Sequence, residues 1–295
     1  MRWSDDALQS PAACLRLFLE NQMEEVRRAE EFLDPQERKD FLDYYQRWVR
    51  RPLSGEALET EVRGGIRSTY GHVLERILQG RPDRPFRVLD AGCGFGTECL
   101  LFGFAGAEVT GNDLRGERVH AAEKRPPFWE KETGRRLALR FRLANIFDEP
   151  ERDYFDLIWV HNAITHIHPV DGFLHLCRDL LAPSGEVVII DVNKTSLRRK
   201  LQGAHDEHQG GSQYTTRVDP ATGKEVVYAV ERDLGLLEQC RLLKEAGLGI
   251  SYRECYLGGH ARAGEFPWKA FLRPLNRSYA AAVLGSRYVV AGRKP

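Results

Sequence analysis

The chain has 295 residues, 42% of them hydrophobic and 29% charged, with 43 basic against 43 acidic side chains and a formal net charge of zero. That composition can bury a sizeable core, which excludes a disordered polymer, and the even charge excludes a basic nucleic-acid module. Six scattered cysteines without a Cys-x-x-Cys pair exclude a disulfide scaffold, a zinc knuckle and a thioredoxin-type redox pair.

The start, MRWSDDALQS, is acidic and lacks a basic segment ahead of a long apolar one. No run approaches the ~18 apolar residues of a membrane span. The expectation is a cytoplasmic protein with no membrane and no nucleic-acid partner. Residues 5–50 read as helical, because Leu15, Phe18, Leu19, Met23 and Val26 recur at spacings of three and four. A second helix is predicted to begin at Asp34-Pro35, with Pro35 in its first turn, and to carry Phe41, Leu42, Tyr45, Trp48 and Val49. A third runs from Glu61 to Gln79 and is stopped by Gly80-Arg81-Pro82. The helices of residues 5–50 are candidates for a lid over a site or for a homodimer interface.

From Phe86 onward the texture changes to alternating strands and helices. FRVLDAG, AEVTGNDL, LALRFRLANIF, YFDLIWVHN and EVVIIDV read as five strands. GTECLLFGFAGA reads as the helix after the first, and the helix after the second is predicted to end near Pro126-Pro127. FLHLCRDLLAPSG reads as a helix with a Pro-Ser-Gly exit. Such alternation predicts a doubly wound, mostly parallel sheet whose ligand sits beyond the carboxyl ends of the strands. Residues 193–232 break the rhythm with a polar, Gly-rich stretch followed by QYTTRV, DPATGK and EVVYAV, a strand-turn-strand hairpin. ERDLGLLEQCRLLKEAGLG is a helix, and ISYRECYL and SRYVVAGRK are the last strands.

The most informative stretch is VLDAGCGFGT, Val88 to Thr97, which sets Gly92, Gly94 and Gly96 between a strand and a helix. Glycines there let the backbone turn tightly and approach a ligand that a Cβ would exclude; the bland reading is a tight turn without a ligand. A phosphate loop needs a Lys after its last Gly, and none follows. A dinucleotide loop needs its third Gly or Ala where Thr97 stands, so NAD and FAD fit poorly.

The stretch resembles the first motif of class I S-adenosylmethionine-dependent methyltransferases, an acidic residue followed by G-x-G-x-G, with Asp90 as the acid. The resemblance continues in order over residues 62–292. AEVTGNDL resembles the second motif, which implies that Asp113 bonds the ribose hydroxyls, with Leu114 beside the base. Asn145 and Ile146 stand where the family meets adenine, although the family usually has an acidic residue where Asn145 is. An amide oxygen can still accept that bond. FDLIWVHNAITHIHP resembles the fourth motif and LAPSGEVVII the entry to the fifth strand. The resemblance implies S-adenosyl-L-methionine as cofactor, Asp90 near the methionine amino group, and His161 as a wall of its pocket. From the residues alone, the lesser alternatives are a helix N-cap for Asp113 and a loop-bracing hydrogen bond for Asp90.

His161, His166 and His168 cluster after the fourth strand. Three readings stand: structural histidines, a general base with an imidazole that titrates near neutrality, or metal ligands, for which no carboxylate has a familiar spacing. His168 precedes Pro169 and is expected to point out of the turn, so His166 is the candidate catalytic residue. His205 and His208 read as a solvated loop or a lid.

The expected architecture is an α/β, doubly wound, seven-stranded Rossmann-like methyltransferase sheet with an N-terminal helical extension and a hairpin insertion. Residues 1–60 form the extension and 61–295 the methyltransferase domain, with insertions at 193–232 and 258–285. The second insertion carries Arg262, Phe266, Trp268, Phe271, Arg273, Arg277 and Tyr279, which read as packing or as an aromatic pocket with a cationic rim. This much cover, with zero net charge, points to a small-molecule acceptor, acidic or phosphorylated, methylated at oxygen or nitrogen and without a metal. The alternatives are a non-catalytic cofactor-binding protein and a methyltransferase acting on a macromolecule.

Overall fold

The computed structural model describes residues 10–48, 55–81, 83–197, 214–219, 222–229, 234–256 and 273–295. They fall into two compact units, residues 1–144 and 145–295.

The first unit begins with α1, Pro11–Arg27, whose Ser10 side chain accepts from the Ala13 amide and whose inner face is Cys14, Leu15, Leu17 and Phe18. Helix α2, Pro35–Trp48, starts where the Asp-Pro step predicts. Asp34 accepts from the Gln36 and Glu37 amides, and Glu37 reaches back to the Asp34 amide, a reciprocal cap that satisfies donors the first turn cannot pair. The third predicted helix begins earlier than its pattern suggested. It runs as α3, Gly55–Gly65, through a π turn at Ile66–Tyr70 into α4, Gly71–Gln79. Strands β1, Arg87–Ala91, β2, Glu108–Asp113, and β3, Leu139–Leu143, pair in parallel in the order β3-β2-β1. Between them lie α5, Thr97–Phe104, and α6, Gly116–Thr133.

Helix α6 corrects the prediction of an end near Pro126-Pro127, because it continues through both. The two prolines remove the N–H groups that would pair with the carbonyls of Ala122 and Glu123. Packing beyond them outweighs that loss: Phe128 and Trp129 are buried, with Trp129 stacked on Phe18 at 4.9 Å. Strand β3 is also shorter than LALRFRLANIF suggested, since Asn145 turns the chain into a 3-10 turn at Ile146–Asp148.

The second unit holds β4, Phe155–His161, α7, Val170–Leu180, and β5, Leu181–Val192. Strand β4 is buried over its first six residues, as a parallel strand covered on both faces requires. The Leu-Ala-Pro-Ser-Gly run, expected to belong to a helix and its exit, lies inside β5. A register irregularity between Phe155 and Leu157 accommodates it, with Ser184 in the left-handed region at φ 63°. The predicted hairpin forms as β6, Tyr214–Val218, antiparallel to β7, Glu225–Ala229. Helix α8, Leu236–Glu245, β8, Gly249–Tyr256, α9, Tyr279–Leu284, and β9, Arg287–Arg293, complete the unit, with β9 antiparallel to both β5 and β8.

The full strand order is β3-β2-β1-β4-β5-β9-β8, a seven-stranded, mostly parallel Rossmann-like sheet, with β6-β7 a separate two-stranded sheet. Among the described residues no helix is long and apolar enough to cross a membrane.

Candidate functional site

The loop after β1 is shaped by three glycines in the left-handed region, Gly92 at φ 79°, Gly94 at φ 54° and Gly96 at φ 70°. The amides of Gly92 and Cys93 both donate to the Asn112 carbonyl, at 2.8 and 3.0 Å, which pins the loop to the end of β2. The glycines differ in what surrounds them. A Cβ on Gly96 would lie 2.6 Å from the Phe141 ring, so that glycine serves close packing. A Cβ on Gly94 would meet only the Arg118 side chain, in ordinary contact with Nη1 at 3.8 Å, so close packing does not demand a glycine here as it does at Gly96.

Asp113, at the end of β2, spans the loop and the next helix. Its Oδ2 accepts from the Gly94 amide at 2.9 Å and its Oδ1 from the Arg115 amide at 2.9 Å. A carboxylate offers about four lone-pair sites, so two remain for a diol. Asp113 is not the N-cap of α6: that position is Arg115, which makes no side-chain capping bond. Asp90, at the end of β1, is buried, and its Oδ2 accepts from the Cys99 thiol at 3.2 Å. Burial pushes its carboxyl well above the usual range, and Glu98 and Asp113 add to the effect. Burial likewise holds the Cys99 thiol protonated. Asp90, the three glycines, Asp113 and the half-buried Leu114 thus come together in the first unit.

Helix α2 supplies residues that sequence reasoning did not connect with this loop. Phe41 and Tyr44 pack on Phe95, with ring centroids 5.8 and 5.3 Å apart, and the Tyr45 hydroxyl lies 3.2 Å from Thr97 Oγ1. The Arg118 guanidinium lies 5.8 Å from the Phe95 ring centroid; desolvation lowers its pKa, and Arg115 lowers it further.

In the second unit, Ile146 is buried, and Asn145 Oδ1 accepts from the Phe147 amide at 3.2 Å. His161 ends β4, with its Nε2 3.1 Å from Arg287 Nη2, and the same guanidinium nitrogen donates to Asn162 Oδ1 at 3.0 Å. A guanidinium only donates, so in this contact His161 offers the Nε2 lone pair. Asn162 sits in the left-handed region at φ 52°. His166 ends a 3-10 turn, Ile164–His166, with its ring parallel to that of Tyr228 at 5.3 Å; the Arg217 guanidinium lies 4.4 Å from the same tyrosine's centroid.

His168 corrects an expectation. It does not point out of the turn: its ring packs against Tyr214 at 4.7 Å, and its buried Nδ1 makes no hydrogen bond. The hairpin captures it, which no local pattern around Pro169 encodes. Asp191, near the end of β5, is buried; its Oδ1 accepts from the Val192 amide at 2.6 Å, and its Oδ2 has no hydrogen-bond partner. Burial raises its pKa, opposed first by the Val192 amide and then by Arg287, His161 and His166, so these groups share one electrostatic neighbourhood. Asp191 was legible as a third acid ending an apolar strand, after Asp90 and Asp113. Arg287 was not, being one of many arginines.

Among the described residues no group of three or more His, Cys, Asp or Glu could hold a metal ion. Arg277 donates to Glu254 at 3.2 Å and stacks over Tyr252, while Tyr279 is exposed. His205, His208, Arg262, Phe266, Trp268 and Phe271 lie outside the described residues.

A left-handed glycine loop after β1 and an acid closing β2, on a sheet of this order, define a Rossmann-like nucleotide-cofactor domain. A family model described as a methyltransferase domain matches residues 62–219, more than half of the chain, and the chain belongs to that family. The ubiquinone biosynthesis O-methyltransferase of Rhodopseudomonas palustris (strain BisB5) is 31% identical over 108 residues, covering 37% of this chain and 40% of the relative. The mitochondrial ubiquinone biosynthesis O-methyltransferase of Bos taurus is 24% identical over 182 residues, 61% of this chain and 49% of the relative. The chain therefore spans less than half the length of these two curated relatives. In fold it is similar to magnesium protoporphyrin IX methyltransferase from Synechocystis PCC 6803 with bound SAH, with a TM-score of 0.51, 13% identity, and coverage of 87% of this chain and 94% of that one.

Proposed function

We propose that this chain transfers a methyl group from S-adenosyl-L-methionine to a small-molecule acceptor, at oxygen or nitrogen. The observation that carries the reading is the Gly92–Gly96 loop with its three glycines in left-handed conformation, tied through Gly94 to Asp113 and following the buried Asp90. The residues fit that cofactor: only the flexible Arg118 side chain stands beside the Gly94 backbone, and Asp113 keeps lone pairs for the two ribose hydroxyls.

Bound there, the cofactor supplies a methyl group on a positively charged sulfonium. Asp90, Gly92, Gly94 and Gly96 hold the methionine tail, and Leu114 packs on the base. To the second unit we assign Asn145 and Ile146 at the adenine, His161 as a wall, and His166 as the base that removes the acceptor's proton. Much of the acceleration comes from alignment in a site without water. The relatives named as O-methyltransferases support oxygen as the acceptor atom.

The test is calorimetric titration of S-adenosylmethionine and S-adenosylhomocysteine into the wild type and Asp113→Ala. Micromolar binding that the substitution abolishes supports the cofactor assignment and justifies an acceptor screen. No binding by the wild type overturns it, and binding without turnover on any acceptor favours a cofactor-binding protein.

A further inference from the structure

Arg125 is fully buried in α6 and lies outside every motif discussed above. A guanidinium carries five N–H donors in a rigid plane. Here all five are used. Nε and Nη2 donate to the two oxygens of Glu25 on α1, at 2.6 and 2.8 Å. Nη2 also donates to the Tyr45 hydroxyl on α2 at 3.2 Å. Nη1 donates to the Phe95 carbonyl and, at 3.1 Å, to Thr97 Oγ1. The last two acceptors belong to the glycine loop and the first turn of α5, either side of Gly96. Glu25 is as fully buried as Arg125, so the pair is shielded from water and salt.

The surroundings aim the fork. Its carbon lies 5.0 Å from the centroid of the Phe41 ring, and Gln22 Nε2 donates to the Tyr45 hydroxyl at 2.5 Å. The hydroxyl thus has Gln22, Arg125 and Thr97 around one oxygen. A buried ion pair is an inefficient way to gain stability, because desolvation offsets its attraction. What this one does specifically is fix the Phe95 carbonyl. That carbonyl precedes Gly96, whose left-handed conformation depends on the orientation of the peptide.

We propose that Arg125 is a positioning residue for the cofactor loop, with Glu25 and Tyr45 holding its guanidinium, so that α1 and α2 are part of the cofactor site. This rests on the proposed function for the identity of the ligand, and not for the anchoring itself.

The test compares the wild type with Arg125→Lys, Tyr45→Phe and, as control, Lys124→Ala. Lysine keeps the charge opposite Glu25 but has three donors on one nitrogen and cannot reach both units of the loop. Tyr45→Phe removes the shared hydroxyl and keeps the ring. Lys124 ties α6 to Glu37 of α2 at 2.5 Å without touching the loop. The readouts are the affinity for S-adenosylhomocysteine and hydrogen exchange at the amides of Gly96 and Leu100, which donate to the carbonyls of Cys93 and Gly96.

We expect Arg125→Lys to weaken affinity about tenfold and Tyr45→Phe about threefold, as loss of hydrogen bonds to a charged group implies. Loop exchange should quicken in both, with affinity and exchange unchanged in Lys124→Ala. If Arg125→Lys fails to fold, Tyr45→Phe carries the test. A lower Tm with affinity within about twofold of the wild type and unaltered loop exchange overturns the proposal. Should the wild type not bind S-adenosylhomocysteine, the cofactor reading fails, and loop exchange alone decides the anchoring.

Discussion

Around the glycine loop, polar atoms find partners inside the protein: Asp113 binds two amides, Arg125 fills all five donors, and the Asn112 carbonyl takes two N–H groups. Around the histidine turn the balance is different. His168 Nδ1, Asp191 Oδ2 and Arg217 Nε are buried without hydrogen bonds, and the rings of His166 and His168 rest on tyrosines of a two-stranded hairpin. A buried polar atom without a partner costs about 1–3 kcal/mol. The first region is built for a preset geometry, while the second sets buried polar atoms beside aromatic surface. A cofactor site gains from the former, because binding then costs little reordering.

That contrast can be broken, starting with its largest expected effect. Glu25→Ala leaves Arg125 charged, buried and unpaired, and should cost about 3–5 kcal/mol in urea unfolding. A cost below about 1 kcal/mol would mean that the first region is not held by this pair. Gly96→Ala combines a left-handed backbone with the Phe141 contact and should cost about 2–4 kcal/mol. At Gly94 the same change meets only the Arg118 side chain at an ordinary contact distance of 3.8 Å, so about 1 kcal/mol from backbone strain is expected, with cofactor binding the more sensitive readout.

The acids sharpen the comparison through pH. The Asp90 carboxyl is raised in the folded protein, so the unfolded chain ionises first as pH increases. Stability then falls from the ordinary Asp value of about 3.9 up to the raised folded value and levels off above it. Asp90→Asn should therefore be more stable than the wild type at neutral pH. The gain should vanish below about pH 3, while affinity for S-adenosylmethionine drops. Parallel stability curves for the two proteins across that window would count against the buried carboxylate.

Smallest of all should be Tyr228→Leu, with at most about 1 kcal/mol on stability, since a single aromatic pair is worth that much. Its clearer signature is loss of the ring-current shift on the His166 ring protons in NMR spectra. An unchanged shift would separate the hairpin from the histidine.

Much of the first region was legible because its signals are local. Three glycines between a strand and a helix announce positive φ wherever they occur, and Asp34-Pro35 announces a helix start. Asp90 and Asp113 are legible because an acid ending an apolar strand lies at the sheet's carboxyl edge. The misreadings have one cause. Pro126-Pro127 looked like a stop because proline's local cost is visible in sequence, whereas the burial of Phe128 and Trp129 is not. Likewise Pro-Ser-Gly looked like a helix exit, although pairing with β4 holds it in β5.

By itself the sequence determined the class of protein: the alternation of strands and helices, the glycine loop and the acids that follow it. These depend on backbone stereochemistry and on hydrophobic period, and both act over a few residues. Only the tertiary structure decided that Glu25, Tyr45 and Arg125, separated by up to 100 residues, meet at the Phe95 carbonyl. It also decided that His166 faces Tyr228 and that His161 faces Arg287. Those pairings depend on which surfaces fold against one another, and a guanidinium in the sequence carries no record of which acceptors it will reach.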